Sequence, residues 1–342
     1  MKSGIWNMLK TQWAPQPPVL QVDLTGKTVL VLGANTGLGF EAAQHFARMN
    51  PGRVILACRS QSKGQAALEK LKAATGYEQA ELWIVDLADF ESVKKFVDKF
   101  ERDGGRLDIL IANAAAATFT YEATKDGWES SLQVNYLAPS LLILLLLPVL
   151  FKTAEEHTTV PRIVVVSSMM HYWLEIEKPV SESPEIIQTL GKAEYCTPRA
   201  MGPRYALTKL LNIFFVRALD AHLPSSPSLV VDAVCPGYCR SELRRVLSGF
   251  AAFFDRLMEL ALAFTTEVGS RQLVWAALAE QDHPEKMRGQ YVSGSRVQEV
   301  SDFVLSPQGS KVQDLIWQNT LDILCEVDGR VKAIVDNYLS SS

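Results

Sequence analysis

The sequence predicts an α/β protein, a doubly wound parallel sheet in one domain. Three observations carry this expectation. Short aliphatic runs alternate with stretches at helical spacing between Lys27 and Val234. The runs are continuous rather than alternating apolar with polar, as strands covered on both faces are. The first run turns on a G-x-x-x-G-x-G loop, Gly33, Gly37 and Gly39, straight into a helix.

The elements follow in order. Gln16-Pro17-Pro18 marks a linker, and residues 23–27 a turn into the first strand, 27–32. A strand that turns on glycine into a helix sets free backbone N–H groups and the positive helix end beside an anion. Gly33 makes the tight turn, Gly37 lets a pyrophosphate approach the backbone, and Gly39 lets the helix pack on the strand. The spacing differs from the G-x-G-x-x-G fingerprint. Asn50-Pro51-Gly52 ends the first helix. Residues 53–59 form a second strand that closes on Arg59, 62–74 a helix, and 81–87 a third strand. Asp89 caps the helix that runs through Phe96 and Phe100. Residues 107–114 form a fourth strand, 126–149 a helix interrupted near Pro139, and 162–168 a fifth strand. A helix over 205–221 and a sixth strand over 228–234 complete the pattern. No repeat or second domain is visible.

Composition narrows the classes. The 342 residues are 48% hydrophobic and 21% charged, with a net charge of −4, which supports a large core and argues against a nucleic-acid partner. Five scattered cysteines form no disulfide framework. Cys235 and Cys239 lack a matching pair, which argues against zinc. The first 18 residues lack the long apolar core of a signal peptide, so the expected setting is reducing and cytoplasmic. Residues 137–151 are uncharged and very apolar but short for a bilayer span, and read as a core or interface helix. The start, with Ile5, Trp6, Met8, Leu9 and Trp13 beside Lys2 and Lys10, reads either as an interfacial helix that makes the protein peripheral to a membrane or as a segment folded back on the domain.

Candidate functional residues fall at the carboxyl ends of the expected strands, where such sheets bind ligands. They are the loop 33–39, Arg59, Asp86, Asn113, Ser168 and Pro236-Gly237. Tyr205 and Lys209 stand one turn apart on one helix face. A free tyrosine titrates near pH 10, and a nearby cation favours its phenolate. The same spacing at Tyr121 and Lys125 falls in a turn, and Tyr195-Cys196-Thr197-Pro198-Arg199 carries a proline. Only Tyr205 opens a clean helix after a strand ending in serines.

On these residues the chain resembles the short-chain dehydrogenase/reductase superfamily, of the classical type, from about Lys27 to Gly294. The closer likeness is to retinol dehydrogenase-like and WW-domain oxidoreductase-like members. It rests on Leu56-Ala57-Cys58-Arg59-Ser60, Phe264-Thr265-Thr266-Glu267-Val268-Gly269 and Gly289-Gln290-Tyr291-Val292-Ser293. Leu32 stands where that family usually has Thr, Ala112 and Ala115 depart from its N-N-A-G strand end, and Ser241 replaces the Thr of its P-G-x-x-x-T. The resemblance implies a Rossmann-type domain over 23–300 with substrate-lid insertions at about 169–204 and 243–266. An N-terminal extension, 1–22, and a C-terminal helical tail, 301–342, flank it.

It also implies hydride transfer between a nicotinamide and a carbonyl or alcohol. Tyr205 is then the acid/base and Lys209 lowers its pKa and holds the ribose. Ser168 bonds the substrate oxygen, with Ser167 facing the other side of the strand, and Asn135 holds a proton-relay water. Gly33, Asn35, Thr36, Gly37, Leu38, Gly39, Asp86, Leu87, Asn113, Tyr205, Lys209, Pro236, Gly237 and Ser241 contact the cofactor. Arg59 and Lys63, where an acid would select NAD, suit the 2′-phosphate of NADP. Apolar residues of the insertions suggest a bulky lipophilic carbonyl or alcohol as substrate, and chains that this one resembles are frequent in fungi, often in specialised metabolism. The apolar residues are Tyr172, Trp173, Tyr195 and Met201, with His171 on the pocket wall, and then Leu243, Val246, Leu247, Phe250, Phe253, Phe254, Leu257, Met258 and Ala261. That second stripe reads equally as core or dimer surface, and residues 141–151 as core or a homodimer seam. The competing reading is a nucleotide-binding scaffold or sensor of the same fold with little turnover.

Overall fold

The computed structural model describes residues 12–339 apart from 104, 226–228, 242–255 and 257. One eight-stranded sheet runs through it in the order β3-β2-β1-β4-β5-β6-β7-β8. β1 (Thr28–Leu32), β2 (Arg53–Cys58), β3 (Ala80–Ile84), β4 (Ile109–Ala112), β5 (Arg162–Val166), β6 (Val230–Cys235) and β7 (Tyr291–Ser293) are parallel. β8 (Val297–Gln298) is antiparallel to β7. The last two strands go beyond the six expected from sequence. Three and two residues are too few to show a period, and packing alone makes them strands.

Each strand alternates its side chains between two cores. Leu30 and Leu32 of β1 join one core and Val29 and Val31 the other. On the second face lie α1 (Gly37–Ala47), α2 (Gln61–Thr75) and α6 (Thr266–Leu278). The first face carries α3 (Phe90–Arg102), α4 (Ser130–His157), α5 (Arg204–His222), α7 (Pro307–Val327) and α8 (Arg330–Tyr338). Asp89 caps α3 by accepting from the Ser92 N–H at 3.2 Å, as expected.

α4 differs from its expected form. It starts later, ends later and passes Pro139 without a break, because a π-helical turn, Gln133–Leu137, precedes the proline. Pro139 offers no N–H, and the wide turn accommodates its ring. α4 is long and apolar enough to cross a bilayer, but 89% of its most apolar window is buried inside the protein. α8 lies along it, with Tyr338 stacked on Phe151 at 5.3 Å, and the Tyr136 hydroxyl meets Thr320 Oγ1 of α7 at 2.7 Å. The stretch 141–151 is therefore core, covered by the chain's own C-terminal helices.

Residues 169–204 are anchored at a few buried positions, though many of them are exposed. Ile186, Ile187 and Leu190 are fully buried, and Asn319 of α7 accepts from Ile187 N and donates to the Pro184 carbonyl at 2.7 Å. Most of the apolar stripe expected from Leu243, and residues 1–11 with Ile5, Trp6, Met8 and Leu9, lie outside the described residues.

Candidate active site

The chain crosses from β3 over β1 to β4, so the sheet reverses its order between β1 and β4. Ligands of such sheets bind at that point, outside the carboxyl ends. Gly33 leaves β1 with φ +73°, and its N–H donates to the Ala57 carbonyl of β2 at 2.8 Å. A Cβ on Gly39 would lie 2.4 Å from the Gly33 carbonyl oxygen, so α1 sits on the turn with no room for a side chain. Gly37 has φ +63° and nothing within 4 Å of where its Cβ would be. Thr36 precedes α1 without a side-chain cap, which leaves the first-turn N–H groups open. Asn113 spans the reversal, its Nδ2 donating to the Leu32 and Gly33 carbonyls at 3.2 Å each. Asn35 and Leu38 are half-buried in the same loop.

Around this crevice the other expected residues take their places. Arg59 follows β2 and Lys63 lies in the first turn of α2. Both are exposed, with no ion pair between either of them and another described residue. Asp86 follows β3, where its Oδ1 accepts from the Ala88 N–H at 3.0 Å, and Leu87 beside it is buried. Pro236 and Gly237, φ +84°, leave β6, and Ser241 is half-buried at the end of that turn. A Cβ on Gly269 of α6 would press on both Cys239 and Leu38, so this turn and the glycine loop meet across α6.

Three of the four candidate catalytic residues, Asn135, Tyr205 and Lys209, are tied together through α5. Lys209 is fully buried, and its Nζ donates to the Val166 carbonyl at 2.7 Å. Burial lowers its pKa to about 8. Its Nζ stands 5.4 Å from the centre of the Tyr205 ring, and Tyr205 is half-buried. Ser167 faces inward and donates to the Lys209 carbonyl at 2.8 Å, while Ser168 is partly exposed. Asn135, in the π turn of α4, donates to Thr208 Oγ1 at 3.1 Å and to the Ala116 carbonyl at 2.8 Å, and accepts from Ala116 N at 2.7 Å. Its amide thus clamps the loop after β4 onto α5. His171 differs from its expected place on the pocket wall. It is fully buried, its Nδ1 bonds the Ser168 carbonyl at 2.8 Å, and burial lowers its pKa to about 4.

The two rejected Tyr/Lys spacings are not helical. Lys125 pairs with Asp89 in a turn, and Tyr195 lies under the Arg204 guanidinium at 5.9 Å. Sequence reasoning missed Arg204 and Glu129. Arg204, directly before Tyr205, is fully buried with its Nε 3.6 Å from Glu129 Oε2. Glu129 in turn caps α4 by accepting from the Ser131 and Leu132 N–H groups. Nothing in their sequence spacing links two residues so far apart in the chain.

The chain belongs to the short-chain dehydrogenase family. Residues 27–173 match the short chain dehydrogenase family model. Short-chain dehydrogenase anuD of Penicillium roqueforti is 36% identical over 93% of this chain and 82% of its own length. Short chain dehydrogenase/reductase dmxR8 of Cryptosporiopsis is 32% identical over 92% of this chain and 94% of its own. The fold is shared with salutaridine reductase from Papaver somniferum, at a TM-score of 0.59 and 21% identity, over 78% of this chain and 99% of that one.

Proposed function

We propose that this oxidoreductase uses NADP to interconvert a carbonyl and an alcohol on a bulky lipophilic substrate. The convergence of Asn135, Tyr205 and Lys209 on α5, with Ser168 two residues beyond the Val166 carbonyl that Lys209 bonds, carries the reading. The crevice fits a dinucleotide, because Gly37 leaves the backbone open to a phosphate and the N–H groups that open α1 are uncapped. Arg59 and Lys63 hold the 2′-phosphate, and Gly33 to Gly39, Asp86, Leu87, Asn113, Pro236, Gly237 and Ser241 line the rest. When bound, the nicotinamide supplies or accepts the hydride. Tyr205 gives a proton to the carbonyl oxygen, or removes one from the alcohol. Ser168 donates a hydrogen bond to the same oxygen. Lys209 keeps a buried positive charge close to the Tyr205 ring, which favours the phenolate. Asn135, bonded to Thr208 one position before Lys209, holds a water that passes protons towards Lys209.

The substrate class rests on the rim. Phe119 and Tyr121 follow β4 and Met170 and Trp173 follow β5, and all four are exposed. Apolar side chains on the loops that leave these carboxyl ends suit a lipophilic substrate. The relatives in Penicillium roqueforti and Cryptosporiopsis support a place in fungal specialised metabolism.

Titration with NADPH and NADH, then turnover of a panel of lipophilic ketones, tests the reading. Wild type should bind NADPH more tightly, and Arg59→Asp should reverse the preference. Tyr205→Phe should keep NADPH binding and lose at least ~100-fold in kcat. Turnover that survives Tyr205→Phe would remove that residue as the acid. NADPH binding with no turnover of any carbonyl would favour the scaffold reading.

A further inference from the structure

Gln12 belongs to the N-terminal extension yet is only 4% exposed. Its amide faces the backbone of Tyr238. Nε2 donates to the Tyr238 carbonyl at 2.6 Å, and the Tyr238 N–H donates to Oε1 at 3.2 Å. One primary amide thus satisfies both backbone groups of one residue, as a neighbouring strand would. Tyr238 sits next to Gly237, where a Cβ would meet Phe264 at 2.9 Å and Gln12 Oε1 at 3.4 Å. From the other side, Phe264 N donates to the Tyr238 carbonyl at 2.8 Å and Arg240 N donates to the Phe264 carbonyl at 3.0 Å. The 236–241 turn is therefore held between Phe264 and the extension. Two further bonds fasten the extension to α6. Arg271 Nη1 donates to the Pro17 carbonyl at 3.1 Å, and Gln272 Nε2 to Gln16 Oε1 at 3.4 Å.

The position of this turn gives the contact its meaning. The glycine loop lies at the β1–β4 reversal, and Arg59 and Asp86 lie on the β2 and β3 side of it. A dinucleotide with its pyrophosphate at the loop and its 2′-phosphate at Arg59 must run its other half towards β5 and β6. That half meets Ser168, Tyr205 and the 236–241 turn. We propose that Gln12 is a positioning residue for the nicotinamide half of the cofactor. It acts by holding the Tyr238 backbone, and so the 236–241 turn, in its binding shape. The inference rests on the NADP reading above.

The test compares two ligands on full-length protein. NADPH spans the whole crevice, whereas adenosine 2′,5′-bisphosphate reaches only the Arg59 and Asp86 side. Dissociation constants for both are measured on wild type, Gln12→Ala and Gln12→Glu, with melting temperatures as a control for folding. Gln12→Glu keeps an acceptor for the Tyr238 N–H but sets a carboxylate against its carbonyl. Both variants should weaken NADPH by about tenfold, the worth of roughly one hydrogen bond. Binding of the bisphosphate and melting should match wild type. Unchanged NADPH affinity overturns the inference, and so does an equal loss for both ligands, which a merely structural role would cause. If wild type binds neither ligand, the NADP reading itself fails, and this inference with it.

Discussion

His171 shows how burial sets chemistry at a single residue. Its ring is packed against Tyr172 at 4.1 Å and Tyr291 at 4.8 Å, and its Nε2 has no hydrogen-bond partner among the described residues. Taking a proton there means burying a charge away from water, which outweighs the bond to the Ser168 carbonyl, so the folded pKa falls to about 4 from an ordinary 6.5. Between those values the unfolded chain binds a proton that the native chain refuses, so stability is full above 6.5 and falls as pH drops towards 4. We expect His171 to account for a loss of ~2 kcal/mol between pH 7 and pH 5. Urea titrations at both pH values on wild type and His171→Gln measure it. The same fall in both proteins would show that other groups carry the pH dependence. The histidine is legible in the sequence as a neighbour of Ser168. Its burial is not, because the rings that cover it come from β7 as well as from its own turn.

At the scale of elements, α5 is the piece the site is built on. Its sequence has the helical spacing that sets Lys209 one turn from Tyr205 on one face. What anchors its start is the Arg204–Glu129 pair, with Arg204 Nη2 also 2.9 Å from Cys196 Sγ. Both charges are out of water, so removing one leaves the other unanswered, at a cost of about 3–5 kcal/mol. Glu129→Ala should destabilise by that amount, and Arg204→Met added to it should restore part of the loss. Chemical denaturation of the two variants decides this. A single variant as stable as wild type would mean that desolvation already cancels the pair's attraction. α4 is the element whose form the sequence hid. Proline predicts a break, but the π turn lets the helix run through, and it places Asn135 against Thr208.

At the scale of the whole molecule, the C-terminal helices are part of the core. Ile316, Leu324 and Val331 are buried to 1% exposure or less, in one cluster with Leu141, Leu144 and Phe214. α7 and α8 cover α5 and α4, the faces that a shorter chain would leave open. Removal of residues 301–342 should therefore expose a broad apolar surface. The truncated chain should aggregate or self-associate, whereas the full chain stays soluble, as size-exclusion chromatography with light scattering would report. A truncated chain that stays soluble and binds NADPH like the full one would mean that the tail is dispensable.

The sequence by itself determined the sheet from β1 to β6, the glycine turn, the cap at Asp89 and the one-turn spacing of Tyr205 and Lys209 on a helix. These are local matters. A continuous aliphatic run, a glycine at positive φ and a one-turn spacing each act within a few residues. Tertiary structure alone decided the rest. β7 and β8 exist because they pair with strands already formed, and α4 is core because helices that begin only at Pro307 cover it. Gln12 meets Tyr238 across 226 positions, and Arg204 meets Glu129 out of water. Such contacts are set by how the layers close on one another. No period or motif in the linear chain records that closure, because the energy of a buried contact depends on what surrounds it rather than on what precedes it.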